Sequence, residues 1–275
     1  MSTTDSVGLI AGNGQFPILF AQAASLKGIR VVAVGMDGET DRALSDHVDT
    51  CTFVKVGQLG KMIRIFQKAS ISQAAMAGGV RKTRLFSGAR PDWTTVKLLA
   101  QTKLRKDDGM LRAIAREFEN SGIEIIDSTL FMPECLAPEG VLAGRQLNEQ
   151  ESADLAYGYQ IAQKIGELDI GQTVAVKEGA VIALEAIEGT DACIARAGQL
   201  TNNKGCVVVK VAKPQQDMRF DVPAIGIKTI ENLHAAGIRI LGIEAHRTLL
   251  LEPQKTIDKA ESMGVTIVGL PEQRA

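Results

Sequence analysis

The first thirty-six residues constrain the fold more than any other stretch. Val7-Gly8-Leu9-Ile10-Ala11 is a short apolar run that enters Gly12-Asn13-Gly14-Gln15-Phe16-Pro17. A segment of helical spacing follows to about Lys27, and Gly28 is placed to stop it. Ile29 to Met36 is then continuously apolar, as strands covered on both faces of a parallel sheet are. Strand, glycine loop, helix, strand is the way a doubly wound α/β domain begins.

The pattern continues with a strand over Thr52 to Val56, a helix over Leu59 to Ala69, and a strand over Gln73 to Ala77 that ends in Gly78-Gly79. Helical spacing returns in Thr94 to Leu104 and Gly109 to Asn120, before a strand at Ile123 to Asp127. From Pro133 to Gln150 prolines and glycines interrupt the pattern, which reads as a linker. Ser152 could cap the next helix, to about Gly166. Gln172 to Lys177 and Val181 to Ile187 form a hairpin around Glu178-Gly179. A helix over Asp191 to Ala197 and a strand over Cys206 to Val211 follow. After them come a helix over Ala224 to Ala236, a strand over Ile238 to Glu244, a helix over Pro253 to Met263 and a strand over Val265 to Val268. The expected class is α/β, with a Rossmann-like parallel-sheet domain over 1–133, a linker over 134–151 and a second, different α/β domain over 152–275.

Composition narrows the function. The chain carries 31 Lys plus Arg against 32 Asp plus Glu, and only 4% of its residues are aromatic. A general basic field and a row of stacking rings are both missing, which argues against nucleic acid as the partner. Cys51, Cys135, Cys193 and Cys206 are scattered, without Cys-x-x-Cys spacing, and read as reduced buried thiols rather than a zinc site. No signal-peptide pattern and no apolar run of about 20 residues occurs. The expected location is the cytoplasm, with peripheral contact at the inner membrane as an allowed alternative.

Four groups of residues could carry chemistry. The loop Gly12-Asn13-Gly14-Gln15 lies between a strand and a helix, where backbone N–H groups and the helix dipole favour an anion. Pro17 stands where a dinucleotide fingerprint would have its third glycine, and Asp37 is as readily a turn residue as a ribose-binding acid. Arg81, with Lys82 and Arg84, follows the Gly78-Gly79 strand end, where ligands of open sheets gather. Glu185-Ala186-Ile187-Glu188-Gly189-Thr190-Asp191 is a strand end, a turn and a helix start. Thr190 or Asp191 there is a helix cap or a phosphate ligand, and Glu188 a better site carboxylate than Glu185.

The fourth group is Lys213-Pro214-Gln215-Gln216-Asp217-Met218-Arg219-Phe220-Asp221-Val222-Pro223. From Asp217 to Val222 polar and apolar residues alternate, the period of a half-buried strand. Asp217, Arg219 and Asp221 would then share one face at about 6.6 Å intervals. Lys210 and Lys213 stand just upstream, so cations and carboxylates meet, as phosphate chemistry requires.

These stretches, with Leu168-Asp169-Ile170-Gly171-Gln172, resemble the LpxI-type UDP-2,3-diacylglucosamine pyrophosphatases of lipid A biosynthesis over nearly the whole chain. Asn13 stands where a glycine is usual in them, and Ala224 where a threonine is common. The resemblance implies two α/β domains with substrate held between them, a homodimer, and Mg²⁺-dependent hydrolysis of the UDP-diacylglucosamine pyrophosphate. The implied products are UMP and 2,3-diacylglucosamine 1-phosphate (lipid X). The family's catalytic aspartate falls on Asp221; on the reading of the residues themselves, Asp217 and Arg219 are its expected catalytic partners, and Asp221 and Glu188 the expected metal ligands. Gly12, Asn13, Gly14, Gln15, Arg81, Thr190, Asp191, Lys210, Lys213 and Gln216 are the expected substrate contacts. Two rivals remain open on the residues alone: an NAD(P)-dependent oxidoreductase and a non-catalytic UDP-sugar sensor.

Overall fold

Strand β1 (Ser6–Ala11) is buried from Val7 onward and runs straight into the glycine turn at its carboxyl end. The computed structural model describes residues 5–80, 91–101, 107–220 and 222–271, and not the side chains of residues 99, 101, 107 and 108. Contacts divide the chain into two units, Met1–Pro133 with Asp217–Asp221, and Glu134–Gln216 with Val222–Ala275.

In the first unit, α1 (Phe16–Leu26) follows the turn with a proline in its first positions, where the missing N–H costs nothing. Next come β2 (Arg30–Met36), a 3-10 turn at Arg42–His47, β3 (Thr50–Val54), α2 (Leu59–Lys68) and β4 (Gln73–Ala77). Helix α3 (Trp93–Gln101), helix α4 (Asp107–Asn120) and β5 (Glu124–Ile125) complete it. All five strands pair in parallel in the order β3-β2-β1-β4-β5. The order reverses direction between β1 and β4, so the carboxyl ends of those two strands form the switch point at which ligands of such sheets bind. Ile10, Val32, Val34 and Met76 meet Met62, Ile63 and Phe66 of α2 and Ala115 and Phe118 of α4 in one cluster. Phe220 closes that cluster, 8% exposed, from the short returning segment.

In the second unit, the expected linker is structured. Residues 140–143 form β6 (Gly140–Ala143), and Asn148 rather than Ser152 caps α5 (Glu149–Glu167), in a capping box with Glu151. Strands β7 (Thr173–Lys177) and β8 (Ala180–Leu184) are the hairpin read from the sequence. Its turn residues, Glu178 and Gly179, both have positive φ, and the buried Asp154 carboxylate accepts from both their backbone N–H groups at 2.8 Å. Helix α6 (Thr190–Leu200), β9 (Val207–Lys210), β10 (Ala224–Ile225), α7 (Ile227–Ala235), β11 (Ile240–Glu244), β12 (Leu249–Leu250), α8 (Pro253–Ser262) and β13 (Thr266–Leu270) follow.

The main sheet has the order β6-β13-β11-β9-β7-β8, parallel at β9, β11 and β13 and antiparallel at both flanks. Strands β10 and β12 pair separately. Alternation along β9 divides the layers: Val207 and Val209 pack with α5, while Val208 packs with residues of α6, α7 and α8. The two units are thus different α/β sandwiches, the first around a wholly parallel sheet and the second around a mixed one.

Candidate active site

In the first unit the switch point is shaped by two chain segments in contact. Gly12 N–H donates to Ala77 O at 2.8 Å and Asn13 N–H to Gly79 O at 2.7 Å. A Cβ on Gly12 would lie 2.3 Å from Gly79 O, and one on Gly78 would lie 2.3 Å from Asn13 O. Backbone contact therefore demands these glycines, and two N–H groups of the turn are already used. Gly14, at φ +86°, and Gln15 stay exposed at the start of α1, which is where an anion would meet the helix. Asp37 forms an exposed pair with Arg42 at 2.7 Å. The acid beside the turn is Glu39 instead, buried, with Oε2 accepting from Asn13 Nδ2 at 3.0 Å. Sequence reasoning passed over it because Asp37-Gly38 looked like the end of the signal.

The segment after Gln216 is not the expected strand. Its described residues, through Phe220, form a turn closed by Phe220 N–H donating to Asp217 O at 3.1 Å. A turn brings Arg219 back onto Asp217 where a strand would hold them apart. Arg219 Nε donates to Asp217 Oδ1 at 3.0 Å, and a terminal nitrogen lies 2.9 Å from Oδ2. The other terminal nitrogen meets Glu119 at 3.1 Å. Burial alone would raise the Asp217 carboxyl, but the hydrogen bonds and charge of Arg219, helped by Arg112, outweigh it and hold the group below the usual carboxylate range. Asp217 first, and then Glu119, raise Arg219 in turn. Asp217 thus acts as the clamp that aims a guanidinium. Asp221 and Arg81 lie outside the described residues, as do Lys82 and Arg84.

In the second unit, the carboxyl ends of β9 and β11 gather charge. Lys210, buried, donates to Ala224 O at 2.9 Å, and Lys213 meets Asp169 at 2.6 Å. Gln216, 6% exposed, accepts from Lys213 N–H at 2.7 Å, closing the loop, while its Nε2 has no hydrogen-bond partner among the described residues. A buried donor left without an acceptor costs about 1–3 kcal/mol, so this amide is suited to a ligand oxygen.

Helix α6 starts at Thr190 with Gly189, φ +85°, at the capping position, so neither Thr190 nor Asp191 is the cap. The Thr190 hydroxyl reaches back to both oxygens of the buried Glu185 at 3.2 Å, and Asp191 is exposed. Glu188 pairs with Arg196 at 2.8 Å and accepts from Ala186 N–H at 3.2 Å. Its own backbone N–H first, then Arg196, hold it below the usual carboxylate range. A metal at Glu188 would have to displace that arginine.

One group went unread in the sequence. Glu244, 0% exposed, ends an apolar strand. It accepts from Ala212 N–H at 2.7 Å and from the Tyr159 hydroxyl at 3.2 Å, with Arg247 at 3.5 Å. An acid closing the apolar run Ile240 to Ile243 was the available signal. Among the described residues no three His, Cys, Asp or Glu side chains are grouped to hold a metal, and no helix is long and apolar enough to cross a membrane.

Residues 6–135 match the model of the LpxI N-terminal domain, and residues 138–268 that of the LpxI C-terminal domain. A relative from Caulobacter vibrioides, the "UDP-2,3-diacylglucosamine pyrophosphatase LpxI", is 32% identical over 98% of this chain and 99% of its own length. Among solved structures, the biotin carboxylase subunit of pyruvate carboxylase is similar at 13% identity and a TM-score of 0.27, covering 73% of this chain and 33% of that one. An ADP complex of an N5-carboxyaminoimidazole ribonucleotide synthetase gives 14%, 0.28, 80% and 48% in the same terms. The chain spans a third to a half of those two proteins, and likenesses at such scores carry no inference about the site.

Proposed function

This chain belongs to the LpxI family of UDP-2,3-diacylglucosamine pyrophosphatases of lipid A biosynthesis, and on that premise we propose that it hydrolyses UDP-2,3-diacylglucosamine to UMP and 2,3-diacylglucosamine 1-phosphate. Water adds at one phosphorus, the bridging P–O bond breaks, and the bridging oxygen leaves with the other phosphate. The observation that carries the reading is the family match through both units, at 32% identity to a relative of almost equal length. The geometry of the described residues supports the roles proposed for them below.

A pyrophosphate diester repels nucleophiles through its own oxygens, so its hydrolysis needs fixed positive charge and a base for water. Arg219 supports the first need, because Asp217 and Glu119 hold its guanidinium in place before substrate arrives. Lys213, ordered by Asp169, and the Gln216 amide supply further contacts for phosphate oxygens. Asp221 is the proposed base, two residues beyond Arg219. Gly14 and Gln15 at the start of α1 take the nucleotide end, with Arg81 as a further contact.

Mg²⁺ fits only as a sparsely held ion, because Glu188 and Asp217 are both engaged by arginines. Asp221 and the substrate's own phosphate oxygens would be its ligands, which suffices for an ion that keeps several waters. It would offset phosphate charge and acidify a bound water. A homodimer is part of the same proposal.

The test is incubation with UDP-2,3-diacylglucosamine, with and without Mg²⁺, and identification of the released nucleotide. UMP is expected only with Mg²⁺. Asp221→Asn is expected to keep substrate binding and lose turnover by at least 100-fold, the size of a general-base contribution. Wild-type turnover in that variant removes Asp221 from the chemistry.

A further inference from the structure

Of the stretch Leu168-Asp169-Ile170-Gly171-Gln172, the reaction proposed above uses only Asp169. The chain leaves α5 through Asp169, at φ +58°, with Ile170 N–H donating to Ile165 O at 2.9 Å. Gly171 then lies flush against the backbone that follows β8, since a Cβ on it would lie 2.1 Å from Glu185 O. These two constraints deliver Gln172 to the end of β9, where its backbone O accepts from Val211 N–H at 3.0 Å.

Three successive N–H groups after β9 are anchored in alternation. Val211 donates to Gln172 O, Ala212 to Glu244 at the end of β11, and Lys213 to Gln216 Oε1. Strands β7 and β11 flank β9 in the sheet, and Pro214 keeps Lys213 extended. N–H groups two residues apart in an extended chain point the same way, about 6.6 Å apart. Gln172 and Gln216 are therefore held on one side of one short segment. Among the described residues three buried side-chain atoms lack a hydrogen-bond partner: Gln172 Oε1, Gln216 Nε2 and Thr248 Oγ1. Thr248 is 0% exposed, sealed from any ligand. The other two are complementary, an acceptor and a donor. Buried polar atoms are nearly always paired in folded proteins, so this couple is suited to a ligand that offers an acceptor beside a donor.

A diphosphate at neutral pH is all acceptor, so it answers Gln216 and leaves Gln172 unanswered. The donor must come from what the phosphate carries. In a 2,3-diacylglucosamine the amide N–H sits on the carbon next to the one bearing phosphate. O3 is acylated and has no proton, the 4- and 6-hydroxyls lie further round the ring, and the ribose hydroxyls are a carbon further from their own phosphate. We propose that the Gln172 side-chain carbonyl accepts the C2 amide N–H of the sugar beside the phosphate that Gln216 binds, and so selects an N-acylated sugar. This rests on the substrate proposed above and adds a specificity-determining residue to it.

The full chain is given UDP-2,3-diacylglucosamine, the analogue with an ester oxygen in place of the C2 amide nitrogen, and the 4-deoxy amide. Binding is followed by calorimetry without Mg²⁺ and turnover by UMP release with it. The wild type should prefer the amide to the ester by about tenfold, the effect of one good hydrogen bond, and should tolerate the 4-deoxy change. Gln172→Met, of similar length but without an acceptor, should abolish the amide preference. Gln172→Glu keeps an acceptor and should retain the preference, although its charge weakens phosphate binding overall. Circular dichroism and thermal melting verify that both variants fold. Equal losses on amide and ester in Gln172→Met would mean that Gln172 serves the fold or holds a water, and would overturn the proposal. A variant that stops distinguishing the 4-deoxy compound instead overturns it too. Wild-type binding that favours the amide, with no UMP released, would sink the proposed reaction and leave the contact standing. Release of UMP with no amide preference does the reverse.

Discussion

Replacing Gly12 by alanine separates two explanations of the glycine turn. If the residue is small so that a ligand can approach, Gly12→Ala should weaken substrate binding and leave stability alone. The contacts say otherwise: the new Cβ would lie 2.3 Å from Gly79 O and 2.7 Å from Gly78 C, both backbone atoms. The two segments must part, which stretches the Gly12 to Ala77 and Asn13 to Gly79 hydrogen bonds, now 2.8 and 2.7 Å. Losing two such bonds costs about 1 kcal/mol each, and the overpacking adds about 1–3 kcal/mol. The sum is about 3–5 kcal/mol, or a fall of about 10 °C or more in Tm for a unit of this size. Gly14→Ala is the control. Its Cβ meets nothing within 4 Å, so only the φ of +86° opposes it, at a cost of about 1–2 kcal/mol. Thermal unfolding followed by circular dichroism, with KM measured on the same samples, reads both effects. A Gly12→Ala protein that melts with the wild type and shows only a raised KM would refute the packing argument.

Three further outcomes follow from the geometry. Glu244→Ala removes the acceptor of Ala212 N–H and of the Tyr159 hydroxyl in the interior, the hydroxyl keeping Gln163 Nε2 as a donor. It should cost about 2–5 kcal/mol in denaturant unfolding, with Glu244→Gln milder because one acceptor oxygen remains; equal small losses would contradict this. Asp217 titrates lower in the folded protein than in the unfolded chain, so its contribution is fully present above the unfolded value near pH 4 and is lost as pH falls through the folded value. Asp217→Asn should therefore flatten the acid limb of the stability profile, and an unaltered limb would show the pair to be inert. Burial, with Glu185 adding to it, pushes the Cys193 thiol up to about 12, and burial pushes Cys206 up to about 11. Alkylation at pH 8 should accordingly reach Cys51 and Cys135 first, as mapped by peptide mass; early labelling of Cys193 would contradict its burial.

The architecture was legible where hydrophobic period speaks for itself. Val7 to Ala11 and Ile29 to Met36 can only be interior strands, and their parallel pairing from Ser6 with Arg30 to Ala11 with Gly35 follows. The alternation in Asp217 to Val222 misled, because the same period arises in a turn when one apolar residue, Phe220, is drawn into a core and one charged pair closes over the top. A six-residue window contains no information about which unit will claim it. Residues 134–151 misled in the opposite sense: glycines at 140 and 144, both at positive φ, bracket an edge strand that pairs with β13. Glu39 and Glu244 were invisible for a shared reason. Their importance comes from burial beside partners 26 and 32 residues away in sequence, Asn13 and Ala212.

The excursion at Asp217–Asp221 changes what a deletion experiment on this protein can mean. The family models meet near residue 136 as though one peptide link joined two separable modules. The chain instead leaves the second unit after Gln216 and rejoins it at Val222. A fragment ending at Pro133 would be born without the Phe220 ring that stops up its interior, and its complement would display that ring with nothing to receive it. Neither half, made alone, is a fair sample of the lobe it came from. Complementation in trans, with both halves expressed together, is the form in which such a dissection would report on the intact enzyme.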